Sequence, residues 1–284
     1  MLDAEDHEEV GGRKLALLIE YDGTRYSGFQ IQDNALTVQE VLERALNNIT
    51  GEGNRLKGAS RTDTGVHALG QVATFVTSSR HAPRTFVAAL NAHLPGDVAV
   101  RDATGTAPGF DPRREAESRW YRYVIVQRAS PAPLLRKVSH RVGRYLDVKA
   151  MAAAAQELVG YHDCASFSAK LSNQTTTMRE ITRAGVQGAG EVLYFDIEAN
   201  AFLPQQVRRT VGELIAIGSG HQPVERIGQL LESPVLGTAD SPAPPQGLYL
   251  MGITYRPGAV RFENEGSTDQ SGPWTAGIHN LGHD

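Results

Sequence analysis

Between Ser60 and Gly70 the chain reads Ser-Arg-Thr-Asp-Thr-Gly-Val-His-Ala-Leu-Gly, with one carboxylate, Asp63, among small and polar residues. A carboxylate presented by a tight turn can serve as a nucleophile, a general base or a local cap. Catalytic use needs the ionised form, which a neighbouring guanidinium favours. Two arginines are candidates for that neighbour. Arg61 lies beside Asp63 in sequence. Arg208, next to Arg209 at the start of a helix in the second half, could reach across an interdomain cleft. Asp63 and His67 at i, i+4 would also suit a metal pair in a phosphoesterase. The chain, however, offers no His-Glu-x-x-His, no cysteine set and no third ligand at a fitting spacing, so no metal is expected. Cys164, the single cysteine, has no base near it in sequence, and Gly218-Ser219-Gly220 lacks the strand and lysine of a nucleotide loop. Both read as structural, and no cofactor is indicated.

The elements that must hold Asp63 follow from periodicity. A largely buried strand over 14–21 precedes a helix that starts at Thr37. Thr37 and Glu40 have the spacing of a capping box, and Val38, Val41, Leu42, Ala45, Leu46 and Ile49 form its apolar stripe. Gly51 and Gly53 end it. Strand-like runs over 55–60 and 71–77 flank the Asp63 loop, and a helix after Pro83 and a strand over 98–101 complete a β-α-β-β-α-β order. The same order recurs. A strand over 119–127 sets Tyr121, Tyr123 and Ile125 on one face and Trp120, Arg122, Val124 and Val126 on the other. A helix capped by Asp147 follows, then strands over 179–186 and 192–199 joined at Gly188-Ala189-Gly190. A helix from Pro204 to Gly218, a short helix over 224–231 and a strand over 248–255 finish the unit. The expected organisation is an acidic extension over 1–13, domains over 14–112 and 113–256, and a poorly ordered acidic tail over 257–284.

Composition is that of a water-soluble globular chain, 40% hydrophobic and 21% charged. Residues 1–10 hold five acids where a secretion signal needs positive charge, and no run reaches membrane-spanning length, so a cytoplasmic protein is expected. The net charge of −4 hides a basic body. Acids exceed bases by five in residues 1–10 and by three in 257–284, which leaves +4 between them. Within 110–149, ten Lys or Arg face four acids, with Trp120, Tyr121 and Tyr123 interspersed. Rings alternating with arginines are what stacking on unpaired bases beside a phosphate backbone requires.

Arg61-Thr62-Asp63-x-Gly65-Val66-His67-Ala68 resembles the active-site motif of the TruA-type tRNA pseudouridine synthases, Gly-Arg-Thr-Asp-Ala-Gly-Val-His-Ala. Further pieces come in family order: Arg119-x-Tyr121-Arg122-Tyr123, Ala199-Asn200-Ala201-Phe202-Leu203, Val207-Arg208-Arg209, and Gly247-Leu248-Tyr249-Leu250. The resemblance spans about residues 14–255. It implies an α+β fold in which two ferredoxin-like units form one continuous mixed, largely antiparallel sheet with helices on one side. It also implies a cofactor-free isomerase acting on uridines 38–40, on the 3′ side of the tRNA anticodon stem-loop, and a homodimer whose cleft takes the tRNA.

By the same resemblance, Asp63 is the essential aspartate, which either attacks the nucleoside or removes a sugar proton. Tyr121 stacks on the target base, and Arg208 pairs with Asp63. Arg61, Phe110, Arg113 and Arg114, with Asn173, Gln174, Thr175, Thr176 and Thr177, correspond to substrate contacts. Thr64, Asp111-Pro112 and Gln205-Gln206 depart from the family pattern. Asp111 would repel phosphate unless Arg113 or Arg114 neutralises it. A catalytically silent RNA-binding module on the same sheet is the rival reading.

Overall fold

Along Arg13–Tyr21 (β1), Leu15, Leu17 and Ile19 alternate with Ala16 and Leu18, and both sets are buried, so the strand is covered on each face. The computed structural model describes residues 12–169 and 176–263. After β1 come Val38–Thr50 (α1), Lys57–Gly58 (β2), His67–Thr77 (β3), Pro83–His93 (α2) and Val98–Gly105 (β4). Ala116–Gln127 (β5), His140–Val142 (β6), Val148–Gln156 (α3), Gly160–Asp163 (β7), Met178–Ala189 (β8) and Val192–Ala199 (β9) follow. Gln206–Gly218 (α4), Arg226–Glu232 (α5) and Leu248–Tyr255 (β10) complete the order.

One sheet runs β4-β1-β3-β10-β5-β9-β8-β7, with β2 on β3 and β6 on β5. The segments β4-β1-β3-β2 and β10-β5-β9-β8 each show the strand order of a ferredoxin-like unit. All ladders are antiparallel except β6 on β5 and the seam between the units, where β10 pairs with β3 at Tyr249↔His67 and Leu250↔Ala68. Gly70 makes the seam possible, since a Cβ there would lie 2.4 Å from the Met251 carbonyl oxygen. One apolar cluster unites Leu17, Ile19 and Phe75 with Tyr123, Phe195 and Ile197, and the buried stripes of all five helices pack on that side. The opposite face is covered by chain without helices: Ala132, Leu135 and Val138 over β5 and β10, and Val260 and Phe262 over β1 and β3.

Several boundaries differ from expectation, each for a physical reason. The strand expected over 55–60 shortens to two residues because side chains take the main-chain groups at its ends, Glu43 the Leu56 N–H and Gln71 both the N–H and the carbonyl of Ser60. β3 begins at His67 rather than 71, so the end of the motif is strand and Asp63 stands on a short loop. The hairpin turn is Gly190-Glu191, with Ala189 paired to Val192. Thr37 caps α1 by accepting from the Glu40 N–H, while the Glu40 carboxylate pairs with Arg44 instead of closing the box. α4 starts at Gln206, after Gln205 in the left-handed region at φ 60°. Residues 257–263, expected to be loose, bury Phe262. Residues 1–11, 170–175 and 264–284, including Asn173, Gln174 and Thr175, lie outside the described residues.

The ring-and-arginine stripe also resolves differently. Trp120 and Arg122 face the sheet side without helices, where the Arg122 guanidinium sits 5.4 Å from the Trp120 ring and 5.1 Å from that of Tyr194. Those cations and rings satisfy one another, and Tyr123 is fully buried. Of the three interspersed rings, Tyr121 lines the cavity that also holds Asp63, while Trp120 lines a separate one on the side without helices.

Candidate active site

Asp63 is set by a loop clamped from both sides. Gly28 passes so close beneath it that a Cβ there would lie 2.5 Å from the Thr62 carbonyl oxygen, and its φ of 91° favours glycine independently. The Phe29 N–H donates to that carbonyl at 3.3 Å, and the Val66 N–H closes the turn on the Asp63 carbonyl at 3.1 Å. The Thr62 hydroxyl meets the Tyr21 hydroxyl at 2.8 Å. Upstream, fully buried Gln71 grips Ser60, accepting from its N–H at 3.2 Å and donating to its carbonyl at 2.6 Å. Downstream, His67 is turned inward. Its Nδ1 accepts from the Gly23 N–H at 3.1 Å, its Nε2 faces the Gln246 carbonyl at 3.2 Å, and its ring stacks on Tyr249. Burial depresses the His67 pKa, against the opposing pull of Asp22. The histidine therefore pins the loop to the seam, and both ring nitrogens are already engaged. Among the described residues, no group of three His, Cys, Asp or Glu could hold a metal ion.

The second unit delivers the arginine. Arg208, in the first turn of α4, donates from NH1 to Asp63 Oδ2 at 3.1 Å and from Nε to the Ala243 carbonyl at 2.7 Å. The Ala243 N–H returns a bond to the Arg208 carbonyl, and the Tyr123 hydroxyl donates to the Pro244 carbonyl at 2.7 Å, so this neighbouring loop is itself braced. The Arg208 side chain is 13% exposed and that of Asp63 40%. Asp63 Oδ1 makes no bond to any described residue, which leaves one carboxylate oxygen open.

Asp63 borders a cavity of about 570 Å³ between the units. Tyr121 forms one wall, with its hydroxyl 2.8 Å from Ser60 Oγ and its ring edge-on to Phe202 at 5.2 Å. Burial pushes the Tyr121 phenol up to about 12, an effect the Ser60 hydrogen bond opposes and Asp63 reinforces. The phenol is therefore a neutral donor at physiological pH. Arg61, Arg113, Arg119 and Arg179 line the same cavity, and Asp63 is its one acidic lining residue among the described residues. Desolvation lowers the Arg61 pKa, and the nearby Arg113 guanidinium lowers it further.

The structure brings together Asp63, Tyr121, Arg208, Arg61 and Arg113. Phe110 is 3% exposed and packs edge-on against Tyr255, outside the cavity lining. Arg114 is exposed and turned toward Asp111. Asp111 bonds Lys57 at 2.8 Å and accepts the Arg113 and Arg114 N–H groups, so its charge is neutralised locally. Thr176 and Thr177 give carbonyls to Arg179 and to the Cys164 N–H, and neither lines the cavity. Phe202, Arg119 and Arg179 are cavity residues that sequence alone did not assign to the site, and Gln205, noted there only as a departure from the family pattern, lines it too. Phe202 and Arg119 do stand inside recognised segments, which is the signal that was there to use.

A carboxylate with one free oxygen, an arginine on the other oxygen, an aromatic wall and surplus positive charge define an enzyme site for a polyanionic substrate with a flat base. The model of the tRNA pseudouridine synthase family matches residues 17–111 and 154–256, and the chain belongs to that family. Among similar proteins, the tRNA pseudouridine synthase A of Pelobacter propionicus is 42% identical over 86% of this chain and all of its own length. Those of Citrifermentans bemidjiense and Myxococcus xanthus are 42% and 40% identical over 86% and 90% of this chain, and 98% and 97% of their own. Among solved structures, a dye-decolorizing protein from V. cholerae aligns at a TM-score of 0.18 and 12% identity, over 76% of this chain and 89% of that one. That likeness is too low to bear on the fold.

Proposed function

We propose that this protein converts uridine to pseudouridine in the anticodon stem-loop of tRNA, with Asp63, Tyr121 and Arg208 as its catalytic residues. The observation that carries this reading is the open Oδ1 of Asp63, held by Arg208 through Oδ2 at the mouth of a cavity walled by Tyr121. In the reaction the N1–C1′ bond of the nucleoside breaks and a C5–C1′ bond forms. C5 gives up a proton and N1 gains one, so nothing is oxidised and no atom leaves. Asp63 is placed to supply the carboxylate step, either on the nucleoside or on a sugar proton. The Tyr121 ring offers the detached uracil a face to stack on while it turns, and its neutral hydroxyl offers a proton relay near C5. Arg208 keeps Asp63 charged and aimed. Arg61 and Arg113 supply positive charge for the flanking backbone, which positions the strand without reading sequence.

The stem-loop must open to give up its base, and the cavity lies in a recess that a paired base could not enter. No described helix is long and apolar enough to cross a membrane. With a tRNA substrate, that agrees with action in the cytoplasm, and a homodimer would set two such clefts on one assembly. The test is to incubate tRNA transcripts with the protein in the presence of a chelator and map pseudouridine by position. Conversion on the 3′ side of the anticodon stem-loop, undiminished by the chelator, supports the proposal. Tight RNA binding with no conversion would reassign the chain as a binding module, and loss of activity with chelator would revive the metal reading.

A further inference from the structure

Arg179 stands at the start of β8 and is 7% exposed, yet no carboxylate of the described residues meets its guanidinium. Its Nη1 donates to the Thr176 and Met178 carbonyls at 2.8 and 2.6 Å, while Nε has no partner among the described residues. A guanidinium withdrawn from water without a counter-charge is costly, and burial accordingly lowers its pKa. Arg61 and Arg113 are exposed, and the other withdrawn arginines of the cavity are accounted for. Arg208 has Asp63, and buried Arg119 spends its donors on the Arg113, Ala116 and Asn200 carbonyls. Arg179 is the deeply buried cation whose remaining donors are unmatched.

Arg179 shares the cavity with Leu203, Pro204, Gln205 and Gln206, where α4 begins. That helix has thirteen residues, and Gln205 at its N-cap makes no side-chain capping bond. The Gln206 N–H is taken by the Leu203 carbonyl at 3.1 Å, while the Val207 and Arg208 N–H groups of the first turn have no side-chain acceptor, and the helix dipole adds positive potential at this end of the cavity. The Gln206 side chain, which might have filled the place, is committed to the Leu203 N–H at 2.8 Å. Two independent features, an unpaired buried guanidinium and an uncapped helix start, thus converge on one end of the cavity.

We infer that Arg179 and the first turn of α4 form an anion subsite that receives a phosphate group of the RNA strand drawn into the cavity with the target uridine. The assignment rests on the proposed tRNA substrate and places the phosphate at the end lined by Leu203 and Pro204, with Arg61 and Arg113 left to hold the strand nearer the mouth. Arg179 is a binding and positioning residue. It anchors the strand so that the ribose is presented to Asp63.

The test measures tRNA affinity across a salt series for the wild type, Arg179→Gln, Arg179→Lys and, as control, Arg183→Gln. Arg183 lies on the same strand, on the side without helices, and pairs with Glu198. Arg179→Gln is expected to weaken binding about tenfold and to reduce the slope of log affinity against log salt by roughly 0.7–0.9, the loss of one phosphate contact. Arg179→Lys restores the slope, and Arg183→Gln leaves both quantities unchanged. A stem-loop carrying single neutral methylphosphonates, scanned along the strand, should show one position at which wild type and Arg179→Gln bind equally. Unchanged affinity and slope in a folded Arg179→Gln, or no such position in the scan, would overturn the subsite. Should Arg179→Gln not fold, the scan with wild type and Arg179→Lys decides, since a phosphate contact makes one neutral position weaken both. Failure of the functional reading shows separately, as absence of pseudouridine with wild-type protein.

Discussion

Asp196 and Asp63 each meet an arginine from a distant part of the chain, and the two pairs are built differently. Asp196 takes Arg122 Nε at 2.9 Å on Oδ1 and Arg122 NH2 at 3.0 Å on Oδ2, and the Trp120 indole N–H adds a third bond at 2.8 Å. Both of its oxygens are filled, and the pair lies inside the sheet face away from the helices, 5% and 10% exposed. Asp63 takes one bond on one oxygen and leaves the other at the edge of a cavity. The first pair is saturated and structural, while the second is deliberately incomplete. A carboxylate held by a cation yet not fully engaged is what chemistry on a substrate needs.

The contrast can be broken in order of effect. Asp196→Ala removes the carboxylate that faces buried Arg122 and should cost about 3–5 kcal/mol of stability, read as a lower urea midpoint, while the folded fraction still converts tRNA. Equal stability would mean that the pair is only packing. Tyr121→Phe keeps the ring and removes the hydroxyl that meets Ser60. Conversion should fall by roughly ten- to a hundredfold with about 1 kcal/mol lost in stability. Because the phenol is raised to about 12, the wild-type rate profile should show no alkaline limb from this group below about pH 11.

His67 sharpens the comparison from the loop side. Its folded pKa is depressed, so below about pH 6.5 the unfolded chain binds a proton that the folded protein refuses. Stability is therefore full above that pH and drains away as pH falls beneath it. Urea midpoints at pH 7.5 and 5.5 should differ in that sense. His67→Gln should shrink the difference without abolishing it, since burial depresses His140 as well. An unchanged difference would assign the acid loss elsewhere. The smallest effect concerns Gln205, held at φ 60°. Gln205→Gly should raise stability by about 0.5–1 kcal/mol by removing the left-handed strain, measured as a higher urea midpoint, and a decrease would show the side chain to be structurally necessary.

Much of this was legible in residue order. The two β-α-β-β-α-β runs, the Thr37 and Asp147 caps and the face assignment along 119–127 follow from local periodicity, and the Asp63 motif announced its own site. What was not legible depends on partners in other elements. The ends of β2 are decided by Glu43 on α1 and Gln71 on β3, whose side chains take the Leu56 N–H and both main-chain groups of Ser60. The interspersed arginines and rings of β5 looked like a nucleic-acid face by composition, but Asp196 and Tyr194 on the neighbouring strand internalise Arg122 and Trp120. Phe110 carries a family position yet is used here as a wedge against Tyr255. Arg179 could not be found by pattern, because its meaning lies in a missing counter-charge, and absence of a partner has no spacing.

The central claim is that the open oxygen of Asp63 performs the chemistry while Arg208 holds the other. It is tested most directly by Asp63→Asn, which keeps size and shape and removes the charge, assayed for pseudouridine formed per folded, tRNA-bound molecule. The account predicts conversion down by about a thousandfold or more, roughly 4 kcal/mol of transition-state stabilisation, with tRNA affinity close to wild type. Conversion within a few-fold of wild type by a folded, tRNA-bound Asp63→Asn would contradict it.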